Sequence, residues 1–324
     1  TREPGSDIVY TNGRAPTLNY AEFTIAIPPH HKAGNIEWPT GTPDPRTDFV
    51  TVRQRLLTAP EFERQVAARA PSGSRKAGVF VHGYNVNFQE GVFRLAQMVS
   101  DADIDGVAVL FAWPSDGKLV GYVADKDAAT YSRDGLVHVL KVMTRDRKPG
   151  DVTLLGHSMG AWLTVEALRQ LRLTGQNATL NRLTVILASP DIDVDVFRAQ
   201  MTVIGPLTPP MTVLVSRDDK ALALSGRIAG ERLRLGAVDV DDPRVQAGAR
   251  AGNVRVIDIS SLKSPDDFNH DRFVTYASLY ARMGGGQRRE LDGNGSNAGA
   301  YVFKTVGSVI ASPFTLVGSA LAGQ

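Results

Sequence analysis

The sequence predicts an α/β protein built on a mostly parallel sheet with helices on both faces. Three observations predict it. Short, nearly all-apolar runs recur along the chain, among them "AGVFVHG", "GVAVLFAWP", "VTLLGHS", "LTVILASPD", "MTVLVSRDD" and "VRVIDIS". Stretches with helical apolar spacing separate most of them. Turn residues punctuate the joints. A strand covered on both faces has no polar side, so it reads as a continuous hydrophobic run, and strand–helix alternation implies parallel neighbours. No internal repeat is visible in the 324 residues, and one domain is the simplest count.

Taken in order, "DIVYT" and "AEFTIAIPP" read as strands. In the second, Phe23, Ile25 and Ile27 alternate with Thr24 and Ala26, until Pro28 and Pro29 end the run. A loop rich in Pro, Gly and Thr follows, then an expected helix through "FVTVRQRLLTAPEFERQVAARA" and a break at "PSGSRK". The "AGVFVHGYN" strand comes next. The helix after it places Phe88, Val92, Leu95, Ala96 and Val99 on one side, with Asn87 and Glu90 set to cap its first turn. Beyond "GVAVLFAWP", a single helix is expected over "ADKDAATYSRDGLVHVLKVM", where Leu136, Val139, Leu140 and Met143 share a face. Val152 to Leu155 is a strand. The helix after it runs from Ala161 to Leu173, with Gly175 at its C-terminal end. Three more strands complete the core. The expected organisation is one domain over residues 1–285, with N-terminal strands at about 7–28 and a core at about 77–285.

The stretch "VTLLGHSMGAWLTVEAL" carries the chemistry. A bare G-x-S-x-G is weak, but this one lies at a strand-to-helix joint, where the nucleophile-elbow reading requires it. Gly156 and Gly160 let strand and helix approach closely. Ser158 is then held up at a helix N-terminus, where backbone N–H groups can meet an oxyanion. The bland reading is a small residue between two glycines.

A serine hydroxyl needs a base within hydrogen-bond reach. Of six histidines, His30 and His31 sit in an early loop expected to be exposed, and His138 lies within a helix. His82 ends a strand. The His157 side chain is expected to point away from the tip. Chain order in doubly wound hydrolases is serine, acid, histidine, and only His270 follows Ser158. The acid is expected at a strand end between the two. Asp219 is preferred, Asp218 is next, and Asp191 or Asp193 stand behind; an unused aspartate would be a helix cap or turn residue. The oxyanion donors expected are the backbone N–H groups of Met159 and Tyr84.

"VFVHGYNVNFQEG", "FAWPSDG", "GHSMGAW", "ASPDIDVDVF" and "SRDDKAL", in this order, resemble the α/β-hydrolase superfamily. More narrowly, they are similar to a bacterial branch described as α/β hydrolase of unknown function, DUF900, also labelled esterase/lipase-like. "PPHHKAGNIEWP" extends the resemblance toward the N-terminus, so that it covers residues 7–285. The resemblance implies an eight-stranded sheet and a Ser-acid-His triad. Carried over by position, Ser158 and His270 match, and Asp219 fits the branch's pattern better than Asp218. The expected function is hydrolysis of small-molecule carboxylic esters through an acyl-enzyme. The alternatives are a lipase, thioesterase, amidase or acyltransferase with the same triad, or a non-catalytic hydrolase-like scaffold.

Composition narrows the field. The absence of cysteine excludes disulfides, thiolate catalysis and cysteine zinc sites. A net charge of +2 argues against a dedicated nucleic-acid binder. "GNGSNAG" does not open a helix after a strand, no phosphate-binding G-x-x-x-x-G-K-[ST] occurs, and His30–His31 lacks zinc-helix spacing, so no metal or organic cofactor is expected. Because numbering starts at Thr1, a removed leader or a trimmed chain is expected, which leaves a cytoplasmic or an exported location open. Residues 286–324 read as a Gly-rich linker and an uncharged C-terminal segment. That segment is expected to dock on its own domain or on a partner, with membrane contact the less favoured outcome.

Overall fold

The computed structural model describes residues 10–68, 76–282 and 302–303. Six parallel strands form the centre: β3 (Ala77–Val81), β4 (Val107–Phe111), β5 (Val152–His157), β6 (Leu183–Ala188), β7 (Met211–Val215) and β8 (Val254–Asp258). Their order is β4-β3-β5-β6-β7-β8, and the two-residue β9 (Val302–Phe303) pairs in parallel with β8. The sheet therefore has seven strands among the described residues, where eight were expected. The difference lies at the N-terminus: β1 (Tyr20–Ala26) and β2 (Val50–Leu57) pair with each other, antiparallel, as a separate two-stranded sheet. Most of "DIVYT", and of residues 286–324, lies outside the described residues.

Each strand divides its side chains between two cores, as a period of two requires. Val79 and Val81, Leu154, Val185 and Leu187, Val213 and Val215, and Val256 face one core. Phe80, Ala188, Leu214 and Ile257 face the other, with Leu155 and Ile186 packed against it. The first core is roofed by α3 (Tyr122–Tyr131), α4 (Arg133–Thr144), α5 (Met159–Leu173) and α7 (Val194–Ile204). The second is roofed by α2 (Phe88–Asp101) and α10 (Arg272–Arg282). This two-sided cover explains the unbroken apolar runs.

Two expected helices come out differently. The 49–70 stretch is β2 followed by α1 (Ala59–Ala68). Backbone pairing with β1 holds "VTVRQRLL" extended. Thr58 and Glu61 then form a reciprocal cap, with Thr58 N–H donating to Glu61 Oε2 at 2.7 Å, and α1 starts there. The 124–143 stretch is two helices broken at Ser132, whose hydroxyl donates to the Ala128 carbonyl. The α2 capping box between Asn87 and Glu90 is formed as expected.

The order of the strands reverses between β3 and β5, with β4 on one side and β6 to β8 on the other. Ligands of open α/β sheets lie at the carboxyl ends of strands beside such a reversal. Ser158 follows β5 there, and His82–Gly83–Tyr84 follows β3.

Candidate active site

Ser158 sits between β5 and α5 with φ 53° and ψ −120°. A non-glycine residue at positive φ stores strain that the surroundings must enforce. The close approach of strand and helix does so. A Cβ on Gly160 would fall 2.2 Å from the His82 carbonyl oxygen and 2.4 Å from that of Val81. On Gly156 it would fall 2.5 Å from Thr164 Oγ1 and 2.9 Å from Ala161 Cα. Gly160→Ala is therefore expected to destabilise the chain by about 3 kcal/mol or more, since backbone cannot yield as a side chain can. Gly248 meets nothing within 4 Å in α9 (Pro243–Gly252), so Gly248→Ala is expected to leave the melting temperature equal or higher. Thermal melts of the two variants check this.

The imidazole of His270 stands on the loop after β8. Its Nδ1 donates to Asp219 Oδ2 at 2.7 Å. The Asp219 side chain is fully buried, and its Oδ1 accepts the Leu222 N–H as the N-cap of α8 (Lys220–Ile228). Helix and imidazole thus each hold one oxygen of the carboxylate. This leaves His270 Nε2 as the accepting nitrogen. Burial pushes the His270 pKa down, but the hydrogen bond and charge of Asp219, with Asp271 and Asp191 further off, outweigh it, so the pKa lies above the usual histidine value.

Neighbouring backbone brings His270 to the elbow. Ser158 N–H donates to the Ala188 carbonyl at 2.9 Å, and Ser189 Oγ, one residue on, donates to the His270 carbonyl at 3.2 Å. The His157 ring, adjacent to Ser158 in sequence, lies 4.6 Å from the His270 ring between centroids. Ser158 itself is buried, at 5% exposure. The hydroxyl-to-imidazole hydrogen bond is not closed in this conformation; such contacts are commonly loose before substrate binds. Gly83 presses on the elbow from above: a Cβ there would meet Ser158 Cβ at 3.0 Å. The loop carrying Tyr84 consequently overhangs the serine. Met159 opens α5, where N–H groups have no partner within the helix.

The other aspartates are engaged elsewhere. Asp218 pairs with Arg272, whose Nη2 donates to its Oδ2 at 2.8 Å. Arg272, and then Ser216, hold its pKa at about 2. Asp191 is buried in an ion pair with Arg234 at 3.1 Å and accepts hydrogen bonds from Tyr122 and Ser225 at 2.8 Å. Asp193 caps α7, accepting the N–H groups of Asp195 and Val196.

Several features escaped the sequence. His157 does not point away: its ring packs against His270 and Phe273, because β5 turns that side chain toward the face carrying α10. Burial, then the neighbouring His270 and Arg94, drive its pKa well below the usual value. His31 is not exposed; it is clamped between Glu37 and Asp101 at 2.7 and 2.9 Å, tying the early loop to α2. The indole of Trp113, in "FAWPSDG", donates to the His82 carbonyl at 2.8 Å and stacks on the His82 ring. That bond steadies the end of β3 over the elbow. No local pattern announces these long-range pairings; the apolar context of Trp113 was the nearest signal.

A parallel sheet covered on both faces, with a strained serine at the strand reversal, defines an α/β hydrolase fold. The family described as "Alpha/beta hydrolase of unknown function (DUF900)" matches residues 58–288, and the chain belongs to it. The comparison with curated proteins gives no match. Similar solved structures include RedJ, the thioesterase of the prodiginine pathway in Streptomyces coelicolor, at 16% identity over 48% of this chain and 78% of that one, with TM-score 0.30. A lipase-esterase related protein from Clostridium acetobutylicum is 14% identical over 63% and 82%, with TM-score 0.27. An extracellular α/β-hydrolase from a Paenibacillus species is 11% identical over 63% and 86%, with TM-score 0.28. Likeness at this level says nothing about substrate.

Proposed function

We propose that the chain hydrolyses carboxylic esters through an acyl-enzyme on Ser158. The observation that carries this is the Asp219–His270 hydrogen bond of 2.7 Å, held beside a serine at φ 53°. Acid and base meet from two separate strand ends and the serine follows a third, which supports a shared chemical role for them. His270 Nε2 takes the Ser158 proton as Oγ attacks the ester carbonyl. Asp219 fixes the tautomer and stabilises the imidazolium without taking the proton itself. The N–H groups of Met159 and Tyr84 are the donors assigned to the tetrahedral oxyanion. His270 then protonates the leaving alkoxide. Water, deprotonated by the same imidazole, attacks the acyl-enzyme and releases the acid. None of these steps calls for a metal or cofactor.

Chromogenic esters graded by acyl length test the reading. Turnover of at least one of them is expected. The acidic limb of kcat/KM is expected to have its midpoint above pH 6.5, the ordinary histidine value. The sign follows from the base role: protonated His270 cannot accept the serine proton, and a raised pKa keeps it protonated to higher pH. A limb centred below pH 6.5 would contradict His270 as the base. No turnover across the panel, with no labelling by a fluorophosphonate, would favour a hydrolase-like binding scaffold.

A further inference from the structure

We propose that Asp191 and Tyr122 are positioning residues for the reaction: the buried carboxylate locks the phenol, and the Tyr122 ring holds the Tyr84 loop over Ser158. The inference rests on the oxyanion role given above to the Tyr84 N–H. It goes further by naming what keeps that donor in place.

The turn after β6 meets each part of the site. Its Ser189 is a non-glycine residue at φ 43°, and strain of that kind gathers where a fold fixes functional groups. Ser189 already reaches the His270 backbone. Beyond it, the Asp191 N–H donates to the Ser158 carbonyl at 3.2 Å. The Asp191 side chain then joins three further segments. Tyr122 Oη donates to Oδ2 at 2.8 Å, Ser225 Oγ donates to Oδ1 at 2.8 Å, and Arg234 Nε lies 3.1 Å from Oδ1. Tyr122 opens α3, and Ser225 lies on α8, the helix that Asp219 caps. The segment carrying Arg234 is pressed onto the turn. Leu235 N–H donates to the Ile192 carbonyl at 2.8 Å and Gly236 N–H to the Pro190 carbonyl at 3.0 Å. A Cβ on Gly236 would fall 2.6 Å from the Ser189 carbonyl carbon.

The side chains of Asp191 and Arg234 are each 3% exposed. Apolar residues of similar volume often serve stability as well as a buried ion pair does. What such a pair can add is one defined geometry. Here that geometry ends on Tyr122. Burial, then the charge of Asp191, push the Tyr122 pKa up, so its hydroxyl keeps the proton it donates. The Tyr122 ring meets the Tyr84 ring edge-on, with centroids 5.4 Å apart and planes at 76°. The Tyr84 hydroxyl donates to the carbonyl of Lys118, at the start of the turn that leads into α3, at 3.1 Å. Ring and tip of Tyr84 are thus both held by the segment that Asp191 anchors. The Tyr84 N–H lies between two fixed points, Gly83 against the elbow and the ring against Tyr122.

Tyr122→Phe keeps the ring and removes the bond to Asp191. In the full-length chain it should lower kcat for the best chromogenic ester by about ten- to a hundredfold, less than the loss of a whole oxyanion donor, with KM within about twofold. Affinity for an aryl trifluoromethyl ketone, which forms a tetrahedral adduct on serine, should fall by the same factor. Hydrogen exchange at residues 83–86 should speed up about tenfold or more, while β5 exchanges as in the parent. Tyr131→Phe, on the same helix, loses only a bond to the Ala15 carbonyl and should change none of these. Should Tyr122→Phe fold poorly, Asp191→Leu/Arg234→Met, which replaces the pair by apolar side chains, must show the same loss of kcat and the same faster exchange. Three outcomes overturn the proposal: kcat and ketone affinity as in the parent; a raised KM at constant kcat, which would put Tyr122 in substrate binding; or a lowered melting temperature with exchange at 83–86 unaltered, which would leave the network as structural glue. Exchange needs no turnover. A parent chain inactive on every ester would end the esterase reading, and exchange at 83–86 would still decide whether Tyr122 holds the loop.

Discussion

Ser158→Ala should give a folded chain whose ester turnover falls by about 10⁶ in kcat, to a residue of activity supplied by binding and oxyanion donors alone. The change removes one oxygen atom. Alanine retains the Cβ that the positive φ has to accommodate, so the elbow experiences no new strain. The melting temperature should therefore stay within the small range of a neutral substitution. A fluorophosphonate should label the parent chain at Ser158 and leave the variant unlabelled. Turnover that survives in the variant, or an adduct on another residue, would remove Ser158 from the chemistry.

Asp219→Asn should lower kcat by about 10⁴, because the imidazole loses the charge that fixes its tautomer and stabilises its protonated form. The acidic limb should also move to lower pH, since Asp219 is the principal group raising His270. Asparagine is a good N-cap, so α8 keeps its first turn and the loss is one of rate. Asp218→Asn supplies the contrast. Its carboxylate binds Arg272, and its side chain is 53% exposed, so solvent weakens the pair. Turnover should change little. Because its folded pKa is depressed to about 2, any stability it contributes is present above its ordinary value of 3.8 and is lost as pH falls through about 2. The two variants assayed side by side decide between neighbouring aspartates; a large rate loss at Asp218 with a small one at Asp219 would reverse the assignment.

The parts legible in the sequence were those encoded by local pattern. The elbow was visible because a buried strand, two glycines and an amphipathic helix meet within 22 residues, 152–173. His270 emerged from chain order and from its position after the last apolar run. Adjacent aspartates were harder. Asp218 and Asp219 occupy one turn and point to different partners, and only the folded turn says which meets the imidazole. The segment "VTVRQRLL" satisfied a helical reading because the β1 backbone that holds it extended lies far back in the chain. His157 was misplaced for a related reason: its direction depends on how β5 twists into the elbow. The pair of Asp191 and Arg234 is invisible locally, since a buried ion pair needs the whole fold to bring its members together.

The residues proposed for the site follow four strands, β3, β5, β7 and β8, which do not share one position in the sheet. Ser158 rises from β5, in the interior, flanked by β3 and β6. His270 hangs from the loop after β8, near the margin, where among the described residues only the two-residue β9 lies beyond. Margins of a sheet open more readily than its middle. The proposed nucleophile thus stands in the interior of the sheet and the proposed base nearer its margin. On the proposed mechanism, a brief opening at that border would leave Ser158 with nothing to deprotonate it, and ester turnover would be lost while the interior strands stay paired.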